Sequence, residues 1–221
     1  IGDIYFGEHT QGEKNGQRYA FDSAEYTEEQ IRSIAEYAFN VARTRNKNLV
    51  SVDKANVLAT SKLWRQVVSE VAKNHPDIVY SDMLVDNCAM QIVKNPAQFD
   101  VILTANLFGD ILSDELSVLS GSVGMMPSAS FSSTGLALYE PAGGSAPDIA
   151  NKNIANPIAQ ILSAAMMLGY SFGMHAEAQA VNDAVKAAIV AGYRTGDIAI
   201  KGSPDKVVGT REFTDQVIAA L

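Results

Sequence analysis

Apolar positions along this chain fall into two textures: short continuous runs, and longer stretches in which they return at helical spacing. Leu49, Val50 and Val52 form one short run, Ile78, Val79 and Tyr80 another, and Val101, Ile102, Leu103 and Thr104 a third. Each predicts a buried strand. Thr27 followed by Glu28, Glu29 and Gln30 fits a capping box, and Ile31, Ile34, Ala35, Ala38, Phe39 and Ala42 then recur at helical spacing to about Thr44. A helix is expected over 61–74, stopping before Pro76, and another from Asp82, as its cap, to Asn95-Pro96. After the strand at 101–104 the chain is expected to turn through Asn106 and Gly109 into a helix opened by Asp110 and Asp114. Farther on, the pattern predicts a strand over 136–139. It then predicts an apolar helix begun by Asn156 and Pro157, as cap and first position, and helices over 176–191 and 210–221. Alternating strands and helices predict an α/β fold with at least partly parallel strands.

Two stretches depart from that alternation. Ile4 to Phe6 and Tyr19 to Phe21 are short β-prone runs joined by polar residues with turn chemistry at Lys14-Asn15-Gly16, so residues 4–21 read as a long hairpin or arm. Such an arm has little core of its own and is expected to need a partner subunit to cover it. The segment 121–134, GSVGMMPSASFSST, is rich in small residues and reads as a long loop or a crossing between lobes.

Composition narrows the class. The 221 residues are 47% apolar and 19% charged, an ordinary globular balance that excludes wholesale disorder. A formal charge of −8 argues against a broad surface for nucleic acid or anionic membrane. The single cysteine, Cys88, excludes an internal disulfide and a multi-thiolate metal site, and fits a reducing cytoplasm. No apolar run reaches the length of a membrane span, and the start of the chain lacks a basic segment followed by an apolar one, so no secretory signal is expected. The chain opens on Ile1 rather than methionine and is expected to begin inside something larger.

Several residues carry chemistry. Asp110 and Asp114 are spaced to share one helical face, where oxygen ligands can grip a hard divalent cation at roughly 2.0 to 2.6 Å. The same pair also suits solvated acids that complement a helix dipole. Lys54 follows a buried strand at its carboxyl end, where α/β sheets place ligand-binding groups; it is either a desolvated base or a surface lysine. Tyr5 is either a proton donor or a packing residue with a wet tip. Asp86 interrupts an apolar stretch and is either exposed or paired with a cation. After Glu140, Gly143, Gly144 and Ser145 allow close backbone approach to a nucleotide, and Asp148 can accept from a ribose hydroxyl, although no GxGxxG is present. His9, His75 and His175 have no metal-ligand spacing and read as surface residues.

Taken in order, SVDKANVL, DVILTANLFGDILSDE and YEPAGGSAPDIANKNIANP resemble the metal-dependent decarboxylating dehydrogenases of the isocitrate/isopropylmalate family, over essentially the whole chain. The resemblance implies the family's two-lobed α/β fold, incomplete at the amino end. Residues 1–120 would be the dimer-forming and metal/substrate domain, with the arm at 4–21, and 121–221 would be part of a cofactor domain carrying half a parallel sheet. It further implies NAD-dependent oxidative decarboxylation of a 2-hydroxy acid, with DKANVL nearer the isopropylmalate branch than the isocitrate or tartrate branches and a related homoisocitrate- or tartrate-type dehydrogenase as an alternative. Asp86, Asp110 and Asp114 would hold Mg²⁺ or Mn²⁺. Lys54 would act on the substrate hydroxyl, Tyr5 would supply a proton, and Asn56 would lie near the nicotinamide. Gly144, Ser145, Ala146, Asp148, Ile149 and Asn156 would cradle NAD, and Asp148 would disfavour a 2′-phosphate. The family's site is shared across a homodimer, the lysine and one aspartate coming from the second subunit.

Two departures stand out. Gly143 occupies a position where many family members carry histidine. None of Arg18, Arg32, Arg43, Arg45, Arg65, Arg194 and Arg211 sits in the motif by which the family clamps substrate carboxylates. The chain is therefore expected to be a carboxy-terminal part of such an enzyme, with an inactive dimerising module as the competing expectation.

Overall fold

The computed structural model describes residues 2–132 and 134–221; Ile1, on which the chain opens, and Ser133, in the expected 121–134 loop, lie outside the described residues. The chain divides into two units, one ending at Glu115 and the other Leu116–Leu221.

In the first unit, β3 (Asn48–Asp53) lies between β4 (Val79–Leu84) and β5 (Val101–Thr104), all parallel. Parallel neighbours require crossovers. These are α2 (Ala59–Ala72), and α3 (Val85–Lys94) with the turn that follows it. Leu49 and Leu103 face a core made by α1 (Glu28–Arg43) and α2, with Ile31, Phe39, Trp64, Val68 and Val71 at its centre. Both halves of the Thr27–Gln30 capping box form, satisfying donors that open the helix. The arm is an antiparallel pair, β1 (His9–Lys14) and β2 (Gln17–Asp22), in register from His9–Asp22 to Lys14–Gln17. Asn15 and Gly16 take φ of 54° and 73°, the left-handed pair that a tight hairpin turn needs. None of the arm's strand residues is buried within the chain.

Four expectations are corrected in this unit. Asp82 does not cap a helix; it lies within β4, whose six residues pair along β3, and its carboxylate accepts from the Tyr80 hydroxyl at 2.5 Å. Ile4–Phe6 forms a 3₁₀ turn and not a strand, because Asp3 caps it through the Ile4 N–H. Asp110 and Asp114 do not open their helix: α4 (Asn106–Ser120) begins four residues earlier, with Gly109 inside it. His75 is buried, not a surface residue; its ring stacks on Phe39 at 4.7 Å, bonds Glu36 through Nε2 and accepts from Arg43 at Nδ1. Arginine only donates, so this contact fixes the Nε2–H tautomer.

The second unit packs α5 (Ile158–Tyr170), α6 (His175–Val190) and α7 (Thr210–Ala219) around Ile158, Ala184, Val185, Ala188, Phe213 and Val217. Small residues let α5 and α6 approach: a Cβ on Gly169 would lie 3.6 Å from that of Ala178. The expected loop and half parallel sheet are both corrected here. β6 (Pro127–Phe131) pairs antiparallel with β7 (Ala137–Pro141), and the only parallel pairing among the described residues of this unit is the two-residue contact of β8 (Tyr193–Arg194) with β9 (Lys206–Val207). Phe131 makes edge contacts with Tyr139 and Tyr170, which explains why a segment of small residues is ordered as a strand.

Two substitutions separate cap from core. Thr27→Ala should cost about 1 kcal/mol and Phe39→Ala about 3–5 kcal/mol, read from urea unfolding.

Candidate functional site

Parallel pairing sets the ends of β3 and β4 side by side, so the residues that follow them meet. Lys54 follows β3, and Asp86 is the second residue of α3, just past β4. Lys54 Nζ lies 2.5 Å from Asp86 Oδ1, and this contact holds the Asp86 carboxyl below the ordinary carboxylate range. The Lys54 carbonyl accepts from the N–H groups of Val57 and Leu58 at 2.9 Å, closing a tight turn that carries the exposed Asn56.

A second group forms around α4. Its first N–H groups find partners outside the helix: Asn106 N–H donates to the Tyr26 hydroxyl and Leu107 N–H to Asp3 Oδ2, each at 2.9 Å. A carboxylate at that position also complements the helix dipole. Asp3 also accepts from Ile4 N–H at 2.7 Å and from the Tyr26 hydroxyl at 3.3 Å. It is only 7% exposed and holds φ 71° and ψ −176°, a region that a side chain occupies only under constraint. These bonds dock the 3₁₀ turn on the helix. Tyr5, at the turn's centre, donates to Asp110 Oδ2 at 3.1 Å, and that bond first of all raises its phenol above the ordinary range. Burial pushes Tyr26 up to about 12.

The five residues assigned to proton transfer and metal binding thus form two groups in one chain, Lys54 with Asp86 and Tyr5 with Asp110. Asp114 lies one helical turn from Asp110. Among the described residues no three acids or imidazoles converge on a single metal position. Asp110 and Asp114 nevertheless offer the oxygen donors that suit a hard cation, and neither acid lies in the first turn, where a dipole role would place it.

In the second unit Gly144, Ser145, Ala146 and Ile149 line a hollow of about 570 Å³ together with Asn153 and Arg211. Ala146, Asn151 and Asn153 take φ of 43°, 62° and 56°, so the backbone turns sharply around the hollow. Asp148 is exposed on the adjoining 3₁₀ turn, Pro147–Ile149, and is not among the residues lining the hollow. The Asn156 side chain is used within the fold: Oδ1 accepts from Ile158 N–H at 3.0 Å, and Nδ2 donates to Asp197 at 3.0 Å. Gly143 has room for a side chain, since a Cβ there would meet only Val123 at 3.6 Å.

The arginines are mostly engaged. Arg32 pairs with Glu28 and Glu70, Arg43 with Asp77, Arg45 with Asp100 and Arg65 with Asp53, while Arg194 donates to the carbonyls of Ile189 and Tyr193. Three residues escaped the sequence reading. Asp3 has no pattern to mark it, and Arg211 reaches its hollow only through tertiary folding. Asp53 carried a usable signal, an acid ending a strand otherwise apolar enough to be buried.

Comparison with known proteins follows the same lines. The isocitrate/isopropylmalate dehydrogenase family matches residues 1–217. The chain is 57% identical to the 3-isopropylmalate dehydrogenase of Desulfitobacterium hafniense over 220 residues and 55% identical to that of Pseudomonas fluorescens over 222. All of this chain is covered in both cases, and it spans 61% of the length of each relative. Among solved structures, isocitrate dehydrogenase from Methylococcus capsulatus superposes with a TM-score of 0.91 at 37% identity, covering 99% of this chain and 64% of that one. A β-decarboxylating dehydrogenase from Thermococcus kodakarensis gives 0.81 at 37% identity, covering 97% and 60%.

Tyr26 yields a pH test. Its folded pKa, about 12, lies above the ordinary 10.0. The stability it contributes is therefore present below pH 10 and lost as pH rises from 10 to about 12. Urea midpoints measured across that window should fall with pH, and Tyr26→Phe should shrink the fall.

Proposed function

The chain belongs to the isocitrate/isopropylmalate dehydrogenase family, and from that premise we propose that it supplies most of the reacting groups for oxidative decarboxylation of 3-isopropylmalate with NAD. The observation that carries the reading is the pairing of Lys54 with Asp86 and of Tyr5 with Asp110 in two separate groups. Two copies related by a two-fold axis bring the first group of one to the second group of the other. The exposed arm, with Tyr19 and Phe21 uncovered, supports such an assembly.

In this reading Lys54 handles the proton of the substrate hydroxyl as hydride leaves the same carbon. Tyr5, held protonated by its bond to Asp110, returns a proton to the carbon that has lost CO₂. Asp86 of one copy and Asp110 and Asp114 of the other would hold the cation, and Asn56 would lie near the nicotinamide. When bound, Mg²⁺ or Mn²⁺ supplies Lewis acidity and NAD accepts the hydride. Gly144, Ser145, Ala146, Asp148 and Ile149 would hold the nucleotide by close backbone approach, with Asn156 shaping the loop's exit. Two charges compete over the ribose, Asp148 beside the hollow and Arg211 lining it. We assign NAD on the acid, and a Gly143→His variant should bind NAD more tightly, by roughly 1 kcal/mol if the ring stacks. No helix among the described residues is long and apolar enough to cross a membrane.

A second reading, a dimerising module without turnover, is favoured by the arginines, five of which are engaged within their own unit. An assay with 3-isopropylmalate, NAD and Mn²⁺ separates the two. Steady NADH formation is expected, and a dimer by size with no turnover would overturn the first reading in favour of the second. Asp110→Asn with Asp114→Asn should weaken Mn²⁺ binding by roughly an order of magnitude or more; unchanged affinity would remove both from the metal site.

A further inference from the structure

Behind Lys54 lies an ion pair that the chemistry above does not use. Asp53, the last residue of β3, is 1% exposed, and Arg65 of α2 grips its carboxylate at two points. Nε donates to Oδ2 and Nη2 to Oδ1, both at 2.8 Å. Oδ1 also accepts from the N–H of Ala55 at 2.8 Å. Between these two residues, the N–H of Lys54 donates to Oγ of the buried Ser61 at 3.1 Å. The backbone on both sides of Lys54 is thus tied to α2, while the side chain extends to Asp86.

Burying a carboxylate is unfavourable, and an apolar pair of similar volume would hold a helix against a strand at least as well. What an apolar contact lacks is direction. A guanidinium fork fixes the carboxylate plane, and the third donor, from Ala55, makes that plane set the course of the turn. Asp53 is almost fully buried while the Arg65 side chain is partly exposed, so the fork acts through its geometry.

We propose that the Asp53–Arg65 fork is a positioning device for Lys54, fixing the 54–57 turn so that the amine is presented to Asp86 and to the substrate hydroxyl. This rests on the reading of Lys54 as the group that handles the hydroxyl proton. Arg65 and Asp53 touch no reacting atom; they act through the turn.

The test uses three variants of the fork, two control variants and two readouts. Removing Arg65 alone strands a buried charge and can unfold the protein. The principal variant is therefore the double Asp53→Asn, Arg65→Gln, which replaces the ion pair by an amide pair. Asp53→Asn alone and Arg65→Lys, which keeps the charge but loses the fork, decide the matter if the double variant does not fold. The first readout is acetylation by acetic anhydride at one fixed pH, followed peptide by peptide in a mass spectrometer, with the exposed Lys62 and Lys73 as references for reagent dose and the far-ultraviolet circular dichroism spectrum as the check on the fold. Lys54 should acetylate several-fold faster, approaching its rate in Asp86→Asn, while the two references stay unchanged. The second readout is turnover of the full polypeptide: kcat should fall on the order of 10²-fold with KM nearly constant, and Arg65→Lys should recover part of it. An unchanged Lys54 rate with undiminished kcat, in a variant whose dichroism spectrum matches that of the wild type, would overturn the proposal. If Lys54→Ala itself turns over normally, the reading of Lys54 falls instead, and the acetylation result still decides whether the fork aims its side chain.

Discussion

The parallel, in-register pairing of β3 with β4 on one side and β5 on the other is the constraint on which the first unit depends. A parallel sheet aligns its carboxyl ends, so whatever follows each strand is delivered to one edge. Here that edge receives Lys54, Asp86 and the start of α4. Cross-strand bonds carry the alignment, and the helical core beneath the sheet prevents slippage, because a shift of one residue would turn Leu49 and Leu103 away from Phe39, Trp64 and Val68. The chemistry at the edge is thus inherited from register.

Within that frame, charges give direction. Asp3 satisfies an N–H that opens α4 and at the same time caps the turn bearing Tyr5, so one carboxylate fixes the phenol relative to Asp110. Asp53 does the corresponding work under Lys54, with Arg65 as its counter-ion. Both acids are buried and multiply bonded within the fold. Their arrangement suggests that each half of the site is held from behind by its own carboxylate, leaving the groups in front free to exchange partners.

Much of this was legible in the sequence, for physical reasons. Helices with a cap and a strong apolar stripe, such as α1, declare themselves, and so does a hairpin whose turn needs two left-handed residues. The misreadings share a cause, which is tertiary context overriding local preference. Asp82 is a good cap but is drawn into β4 by pairing along β3. Ile4, Tyr5 and Phe6 favour extended structure but are bent by the Asp3 cap. The segment 127–131 is rich in small residues and still pairs as a strand, because Phe131 anchors it on aromatic neighbours. His75 looked like a surface residue because its partners lie far along the chain, on α1. Of the candidate site, Tyr5, Lys54, Asp86, Asp110 and Asp114 could be named as candidates through the resemblance of their motifs to the family. Asp3 and Arg65 could not, since a supporting residue is defined by what it touches.

The central claim is that Lys54 with Asp86, and Tyr5 with Asp110 and Asp114, are two halves of one site contributed by two copies. Subunit complementation tests it most directly, using full polypeptides that carry either Lys54→Ala or Tyr5→Phe, unfolded together and refolded as a mixture. Each variant alone should be nearly inactive, while the mixture should regain roughly a quarter of wild-type turnover, since half the dimers are mixed and each has one intact site. A mixture no more active than its components would contradict the account.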